Sequence, residues 1–487
     1  MPAFAQNNTR QETAGIQDII VTAQRREQAL QDVPLAISAF NADTLERVGV
    51  NSVAELVYLS PGLVYQGGDN SASPYLRGVG TTSTQSSGEP PLAMYVDGFY
   101  YPAFESALLN FSNISSIAVL RGPQGTLFGR NVTAGLIQVT TKDPTAKPSG
   151  NFELRYGNFN HVTASGYFAS GITDNLAADI SVYYLKHDGW GRNLVNGEDA
   201  SRSDQIALRS KWVFNPGPDT QISLMLDYSV GKGDIGSSTN ALPGFLDATG
   251  SARPGDQFDA IRNLSTADNK VVSKGAGLKI EHDLGFAKIR SLTSHRVMDN
   301  RFAIDGDASP LNLINANVPN HSEYTMQELQ LVSGAGSSFE WILGAFYQDS
   351  TGGSGREPFT ISGDVFPPFL GGGFANNAQT DSESWAVYAQ STVKLAPGLR
   401  GTIGLRYTDD SQRITGNEFA LAGFPLGPDV DQSDSWNQVT WRLALDYDFS
   451  DDVLGYISYN RGYKAGRFDF IGLRDPAVNP AYSSGGA

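Results

Sequence analysis

Long stretches of alternating side chains follow residue 150, and they limit what this chain can fold into. In "NLAADISVYYL", which starts at Asn175, leucine, isoleucine, valine and tyrosine alternate with smaller or more polar residues. The segments "TQISLMLDYSV", "LRGTIGLRYT" and "VTWRLALDYDF" repeat this pattern. Because successive side chains of a strand point to opposite faces, each segment predicts a strand with one apolar and one polar face. Each is also at least as long as the roughly 9–11 residues that a tilted strand needs to cross a bilayer.

The connections between these segments alternate in length. Short turns such as "NPGPD" at Asn215 and "DLGF" at Asp283 join some of them, whereas the polar stretches 231–269 and 351–379 join others. Short turns on one side and long loops on the other are typical of a transmembrane β-barrel. A soluble β-sandwich or propeller also alternates, but its strands are usually about 5–6 residues long. Tyrosine and tryptophan also cluster near the predicted strand ends, as interfacial girdles do. We therefore predict a mainly β fold, a transmembrane antiparallel β-barrel.

The composition excludes several classes of protein. The formal net charge is −16, whereas a nucleic-acid-binding domain is expected to be basic. There is no cysteine, so neither a disulfide framework nor a thiolate metal site can form. No run of about 18 apolar residues occurs, so the sequence predicts no transmembrane helix.

The residues ahead of the segment "KDPTAKPSG", 142–150, predict a compact α+β unit. Asn41 can cap a helix through "ADTLERV" that ends at Gly49. Ser52 and Glu55 have the spacing of a capping box for a second helix. Short apolar runs after the helices predict strands that begin near Leu63, Tyr75, Leu92, Ile114 and Leu136.

The stretch "LRGPQGTLFGRN", which starts at Leu120, places two arginines among three glycines. A phosphate-binding P-loop has four residues between its glycines, followed by Lys-Ser or Lys-Thr. Here three residues separate Gly125 from Gly129, and an arginine follows. The arginines therefore need a partner other than a nucleotide phosphate.

Taken in order, the motifs of the chain resemble those of the TonB-dependent outer-membrane receptors. "DIIVTAQRR" resembles a TonB box, and "LRGVG", "MYVDGFY" and "LRGPQGTLFGRNVTAGLIQVTTKDP" resemble successive blocks of the plug. "QELQLVS", "ESWAVYAQSTVKLAPGLRGTIGLRYTDD" and "YISYNRGYKAGRF" resemble barrel strands. The resemblance implies a 22-stranded barrel in the outer membrane of a Gram-negative bacterium, with an N-terminal α+β plug in its lumen.

The resemblance also implies a division of the chain. The expected segments are a signal-peptide remnant and disordered N-terminal segment at 1–17, a TonB box at 18–26, a plug at 27–145 and a barrel at 150–487. We count about 13 alternating segments, so we expect a fragment that lacks the start of its signal peptide and roughly nine C-terminal strands.

The resemblance assigns three sets of site residues. The alternating stretch Asp18, Ile19, Ile20, Val21, Thr22 and Ala23 is expected to bind TonB as an added strand. A lock between plug and barrel is expected from Arg77, Arg121 and Glu328, with the family's second glutamate in the missing part. The remaining plug-motif residues are Gly78, Tyr95, Asp97, Gly98, Gly122, Pro123, Gly125, Gly129, Arg130 and Asn131. No ligand-binding residue is identified.

The function that the resemblance implies is active import, driven by TonB of the inner-membrane complex. The expected cargo is a ferric siderophore or other iron complex, and a saccharide or other organic nutrient is the alternative. A signalling receptor is disfavoured because only about 17 residues precede the box, too few for a small domain. A passive porin is disfavoured by the plug. We expect a monomer in outer-membrane lipid that binds an extracellular small-molecule ligand, with no catalysis, cofactor, metal or nucleic acid.

Other polar clusters predict no chemistry. The five histidines show no ligand spacing, so they are interpreted as solvated residues: His161, His187, His282, His295 and His321. The pairs Asp409–Asp410 and Asp451–Asp452 are interpreted as solvated strand ends near turns.

Overall fold

A computed structural model gives the fold of this chain. It describes residues 19–50, 54–66, 73–81, 89–102, 113–234, 258–264, 269–307, 309–334, 339–355, 357–450 and 453–468. Strands make up most of these residues, and none of the helices among them is long and apolar enough to cross a membrane.

The N-terminal part forms the small α+β unit that the sequence predicts, here called the plug. Its elements are β1 Ile20–Val21, β2 Gln28–Ala29, β3 Ile37–Asn41, α1 Ala42–Val48, β4 Leu63–Gln66, β5 Ser73–Leu76, β6 Leu92–Val96, β7 Phe99–Tyr101, β8 Ile114–Arg121, α2 Gly125–Phe128 and β9 Gly135–Thr141, with 3-10 helices at Leu30–Asp32 and Ala54–Tyr58. Its central sheet has the order β3-β8-β9-β6-β7, in which β6 and β9 run parallel and the other neighbours run antiparallel.

The helix α1 begins and ends where the sequence predicts. The side chain of Asn41 accepts a hydrogen bond of 2.9 Å from the Thr44 backbone N–H. At the other end, Gly49 adopts a left-handed conformation with φ 72°, which glycine reaches without steric cost. The second predicted helix is a 3-10 helix, and Ser52 of its expected capping box lies outside the described residues.

The second part is one large antiparallel sheet, here called the barrel sheet. Its strands are β10 Ser149–Gly157, β11 His161–Thr173, β12 Leu176–His187, β15 Ser203–Gly217, β16 Thr220–Gly233, β17 Lys270–Asp283, β18 Ala287–Asp305, β19 Asn315–Ser333, β20 Phe339–Gly353, β21 Phe359–Ser362, β22 Gly373–Ala396, β23 Leu399–Ala420, β24 Val430–Ser450 and β25 Val453–Asn460. In the part of the chain that the structure describes, thirteen of them follow one another, which confirms the predicted number, and β21 pairs with β19 and β22 beside this path. A separate hairpin pairs β13 Gly191–Arg192 with β14 Asp199–Ala200, and a 3-10 turn spans Pro368–Leu370.

The barrel sheet buries its polar face and exposes its apolar face. On β12, Ile180 is 50% exposed and Val182 is 37% exposed, whereas Asp179 and Ser181 between and beside them are buried. The same inversion occurs on β24, where Leu443 and Leu445 are exposed. A water-soluble sheet does the reverse, so this pattern fits a wall with lipid outside and polar contents inside.

The connections at the two ends of the barrel sheet differ in length, as predicted. Turns of two or three residues at 174–175, 218–219, 284–286 and 397–398 lie at one end, here called the short-turn end. Connections at 188–202, 306–314, 354–372 and 421–429 lie at the other, the long-loop end. The loop predicted at 351–379 is shorter than expected, because β20 and β22 continue pairing as far as Gly353 and Gln379.

The plug packs against the inner face of the barrel sheet. The largest cluster of buried apolar residues contains most of β6, β8 and β9. It also contains side chains from the barrel sheet, among them Met225, Leu292, Met326 and Tyr388. The helix α2 contacts β22, β23 and β24. The plug and the barrel sheet thus share one core.

Candidate functional site

Buried charges bridge the plug and the barrel sheet, and this polar interface is the candidate functional site. Three ion-pair clusters lie in it, centred on Arg25, Arg130 and Asp97 of the plug. In each cluster the plug residue pairs with a charged side chain of a barrel strand. A buried charge that loses its partner is costly, so each cluster favours the docked plug over a displaced one.

The first cluster joins Arg25 to Glu328 of β19. An Arg25 Nη2 to Glu328 Oε2 distance of 3.2 Å links two side chains that are almost completely buried. The hydroxyl of Tyr388 on β22 donates a hydrogen bond of 2.6 Å to Glu328 Oε1. The rings of Tyr95 and Phe128 lie 4.9 and 4.4 Å from the Arg25 guanidinium, close enough for cation–π attraction. Burial would lower the pKa of Arg25, but Glu328, Tyr95 and Tyr388 raise it, so this arginine is charged.

A short hairpin brings Arg25 to this position. The strands β1 and β2 pair with each other, and the Arg25 backbone N–H donates to the Thr22 carbonyl across the turn. Arg25 has φ 60°, a left-handed conformation that is uncommon for a residue with a Cβ. The turn therefore directs the side chain toward Glu328 and toward the rings of Tyr95 and Phe128.

The second cluster surrounds Arg130, and two carboxylates share it. Its guanidinium lies 2.9 Å from Glu89 of the plug and 2.6 Å from Asp410 of β23. Glu89 also accepts hydrogen bonds from Asn131 and from Gln348 of β20. Burial would raise the pKa of Glu89, but the charge of Arg130 and these hydrogen bonds lower it to about 2. Glu89 is therefore ionised at neutral pH.

Glycines allow the plug to approach the barrel sheet closely around Arg130. A Cβ at Gly129 would lie 2.7 Å from an Arg406 side-chain nitrogen, and Gly129 also has φ +86°. A Cβ at Gly125 would lie 3.2 Å from the Arg461 carbonyl oxygen. A side chain at Gly129 would therefore displace the Arg406 guanidinium, and one at Gly125 would crowd the backbone after β25.

The third cluster is built on Asp97, which lies in the turn between β6 and β7. Asp97 pairs at 2.9 Å with Lys211 of β15 and accepts hydrogen bonds from the Thr141 backbone N–H and hydroxyl. Burial would raise the pKa of Asp97, but Lys211 and Thr141 lower it. The ion pair with Lys211 links this turn to the barrel sheet.

Among the described residues, the barrel carboxylate of the predicted lock pairs with a plug arginine other than the two that the resemblance names. Glu328 is buried at the interface as expected, but its cation is Arg25 and not Arg77 or Arg121. Arg77 lies exposed in a turn after β5, and Arg121 donates hydrogen bonds to Ser38 and Ser60 within the plug. Neither arginine makes an ion pair with any residue that the structure describes. The reason is position: both side chains are turned toward the plug or solvent, whereas the β1–β2 hairpin reaches the barrel strand.

The stretch expected to bind TonB is folded against the plug, and only Asp18 lies outside the described residues. Val21 and Ala23 are buried in the shared core, Ile19 packs against it and Ile20 is about half exposed. The Thr22 carbonyl accepts from Gln138 of β9 at 3.4 Å. In this conformation the stretch cannot add to a partner's sheet without leaving the core.

Arg26 fastens the hairpin to the short-turn end of the barrel sheet. Its guanidinium donates to the Ser333 carbonyl at 2.7 Å and to the Trp341 carbonyl at 2.5 Å. Arg290 of β18 donates to the Arg25 carbonyl at 2.6 Å. Residues 25 and 26 are thus the point at which the N-terminal segment is anchored to the barrel sheet.

The other expected plug residues have structural positions. The Tyr95 hydroxyl donates to the Phe128 carbonyl at 2.9 Å, and Asn131 donates its backbone N–H to the Tyr463 carbonyl at 3.0 Å. Pro123 lies against Gly462, beyond β25. Positive φ angles occur at four glycines of the set, which are Gly78, Gly98, Gly122 and Gly129.

Sequence reasoning missed several charged members of the interface. Asp410 was expected at a solvated turn, but it lies within β23 and is buried against Arg130, while Asp409 on the opposite face bonds the Tyr407 hydroxyl. Neither Glu89 nor Lys211 belongs to a sequence motif that predicts a place in the interface. The one available signal for Arg25 was the pair of arginines directly after an alternating stretch.

Comparison with known families agrees with this architecture. A model described as "TonB dependent receptor-like, beta-barrel" matches residues 142–486, and one described as "TonB-dependent Receptor Plug Domain" matches residues 29–136. The chain belongs to the TonB-dependent receptors. It is accordingly an outer-membrane protein with plug and barrel domains.

Individual relatives of this TonB-dependent receptor are distant. The pesticin receptor of Yersinia pestis is 22% identical over 479 residues, which are 97% of this chain and 67% of the relative. The ferrioxamine receptor of Yersinia enterocolitica is 23% identical over 244 residues, 49% of this chain and 31% of the relative. The crystal structure of the ferric yersiniabactin uptake receptor FyuA from Yersinia pestis superposes with a TM-score of 0.75 at 18% identity, covering 91% of this chain and 66% of that one. The chain thus spans about two thirds of the length of the relatives that it matches over most of its own length.

Proposed function

We propose that this receptor serves the active import of an iron complex, a ferric siderophore in the first instance, across the outer membrane. The names of its relatives support this cargo, since they include receptors for ferrioxamine and ferric yersiniabactin. The protein acts as a transporter and not as an enzyme, and its expected partner is TonB of the inner-membrane complex.

The observation that carries the proposal is that buried ion pairs cross the plug–barrel interface beside its apolar core. An interface made only of apolar side chains would lose the free energy of apolar burial as soon as the plug separated from the barrel sheet. Buried ion pairs such as Arg25–Glu328 and Arg130–Asp410 can be exchanged for water as the plug moves and can re-form afterwards. A plug of this kind closes the lumen at rest and is still able to move.

In this proposal, TonB applies force to the receptor at its N-terminal segment. We assign residues 18–26 to the TonB box, and TonB would take up residues 18–23 as an added strand. Capture requires Val21 and Ala23 to leave the core. Arg25 and Arg26 follow closely along the chain. Force applied to the box from the short-turn end would therefore act first on their contacts with Glu328, Ser333 and Trp341.

The lock function expected of Arg77 and Arg121 is therefore assigned to other plug residues. Arg25 holds the anchored end of the plug to β19, and Arg130 holds the region around α2 to β23. Glu328 keeps its expected part as the barrel carboxylate of the lock.

Uptake of radiolabelled iron by an energised host that lacks its own siderophore receptors tests this function. Cells that express the receptor should accumulate iron from at least one member of a panel of ferric siderophores, and a variant that lacks residues 18–23 should bind that complex but not import it. Import of vitamin B12 or an oligosaccharide with no import of any iron complex would contradict the iron assignment. Import by the deletion variant would contradict the TonB-box assignment.

A further inference from the structure

Two histidines that are distant in the sequence stand side by side at the long-loop end of the barrel sheet. Val162 of β11 pairs with Lys186 of β12, so His161 and His187 occupy the next opposing positions. Their ring centroids are 5.4 Å apart with an angle of 38° between the ring planes. Neither the spacing of the histidines in the sequence nor the family resemblance predicts this pair.

The pair lies on the inner face of the sheet. Along β11, His161 is separated from the buried Ser165 by an even number of positions, so both side chains point to the same face of the sheet. The same holds along β12 for His187 and the buried Ser181. His187 is itself buried, whereas His161 is exposed. The two imidazoles therefore face the lumen near the mouth of the barrel and not the lipid.

From this arrangement we infer that His161 and His187 form a binding site for a divalent first-row metal ion such as Zn²⁺ or Cu²⁺. Imidazole nitrogen is a preferred ligand of both ions. Two imidazoles bound to one tetrahedral ion place their ring centres about 5 Å apart, because each metal–nitrogen bond is about 2.0–2.1 Å long. The observed separation of 5.4 Å is close to this distance.

Neighbouring groups hold both rings in place. The indole of Trp190 stacks on His187 with a centroid distance of 5.2 Å and an interplanar angle of 17°. The Nε2 of His161 lies 3.0 Å from the Thr163 hydroxyl, which can accept its N–H and so fix the tautomer of the ring. The strand ends are joined as well, since Asn160 donates to the Asp188 side chain at 2.5 Å. A site whose ligands are fixed before the metal arrives loses less conformational entropy on binding.

The inferred site offers only two protein ligands. Within the described ranges, no group of three or more histidine, cysteine, aspartate or glutamate side chains is placed to hold a metal ion. Water, or donor atoms of a bound molecule, would complete the coordination sphere. The site is therefore an open one and is independent of the iron cargo proposed above.

Metal binding by the purified receptor tests the inference without any uptake measurement. The protein is extracted from outer membranes in detergent without a polyhistidine tag, and Zn²⁺ is titrated against a chromogenic chelator. The wild type should bind one ion per chain, and His161→Ala or His187→Ala should weaken binding by about tenfold or more, since each removes one of two protein ligands. His282→Ala is the matched control, because His282 bonds Thr220 at the other end of the sheet and should leave binding unchanged.

Electron paramagnetic resonance with Cu²⁺ gives a second readout. The wild-type spectrum should show two imidazole nitrogens, and each single variant should show one. Heat-modified gel mobility confirms that the variants are folded, and His161→Ala is the safer of the two because that side chain is exposed. Unchanged affinity in the double variant, or loss of affinity in His282→Ala, would overturn the inference.

Discussion

At the scale of single residues, the ionised Glu89 makes the stability of the docked plug depend on pH. Its pKa is about 2 in the folded protein, below the ordinary value of 4.5, because Arg130, Asn131 and Gln348 outweigh the effect of burial. A carboxylate with a lowered pKa stabilises the folded state fully above its ordinary pKa, and this stabilisation is lost as the pH falls toward the folded value. We therefore expect the unfolding temperature, followed by circular dichroism, to fall between pH 4.5 and pH 2. Glu89→Gln should show a smaller fall, and an identical pH profile in the variant would refute this account.

The roles of Arg25 and Arg121 can be separated by their contribution to stability. Arg25→Met leaves Glu328 buried without its cation, which should cost about 3–5 kcal/mol. Arg121→Met removes hydrogen bonds to Ser38 and Ser60 at a partly exposed position, which should cost about 1 kcal/mol. Guanidinium unfolding of the two variants in detergent measures the difference. Equal costs would mean that the lock is not centred on Arg25.

At the scale of elements, the β1–β2 hairpin is the part of the plug that the proposed mechanism requires to detach. Val21 is 3% exposed and the adjacent Ile20 is 49% exposed, so the two side chains lie on opposite faces of one strand. Because the chain has no cysteine, single thiols can be introduced at either position. Val21→Cys should react slowly with a maleimide and Ile20→Cys rapidly, the latter being the control.

Adding Arg26→Ala tests the anchor of this hairpin. The substitution removes hydrogen bonds to Ser333 and Trp341, so the labelling rate of Val21→Cys should rise by about tenfold or more, as expected for a loss of roughly 1.4 kcal/mol. The rate of Ile20→Cys should hardly change. If Val21→Cys stays protected, Arg26 is not what retains the segment.

At the scale of the whole molecule, the proposed import requires the plug to move relative to the barrel sheet. A Cβ at Gly404 of β23 would lie 2.8 Å from Cγ2 of Thr126 in α2, which is close enough for a disulfide between cysteines at the two positions. In the variant Thr126→Cys/Gly404→Cys, oxidation should abolish iron uptake while leaving ligand binding, and reduction should restore uptake. Each single cysteine variant is the control. Full uptake by the oxidised protein would show that α2 stays in place during import.

Much of the architecture could be predicted from the sequence because it depends on local periodicity. Side chains of a strand alternate between two faces wherever the strand lies, so Ile180 and Val182 could be assigned to one face and Asp179 and Ser181 to the other. The same holds for the cap of α1, since Asn41 bonds a residue three positions away. These features need no knowledge of what the segment packs against.

The partners in the interface were decided by the tertiary structure alone. Arg25 meets Glu328, Arg130 meets Asp410 and His161 meets His187 because the plug docks in one orientation and the strands pair in one register. No local pattern encodes these choices, since an ion pair depends on which side chains are brought within a few ångströms after docking. The sequence by itself therefore determined the strands, their two faces and the separate plug, whereas the fold selected which charges hold the plug in place.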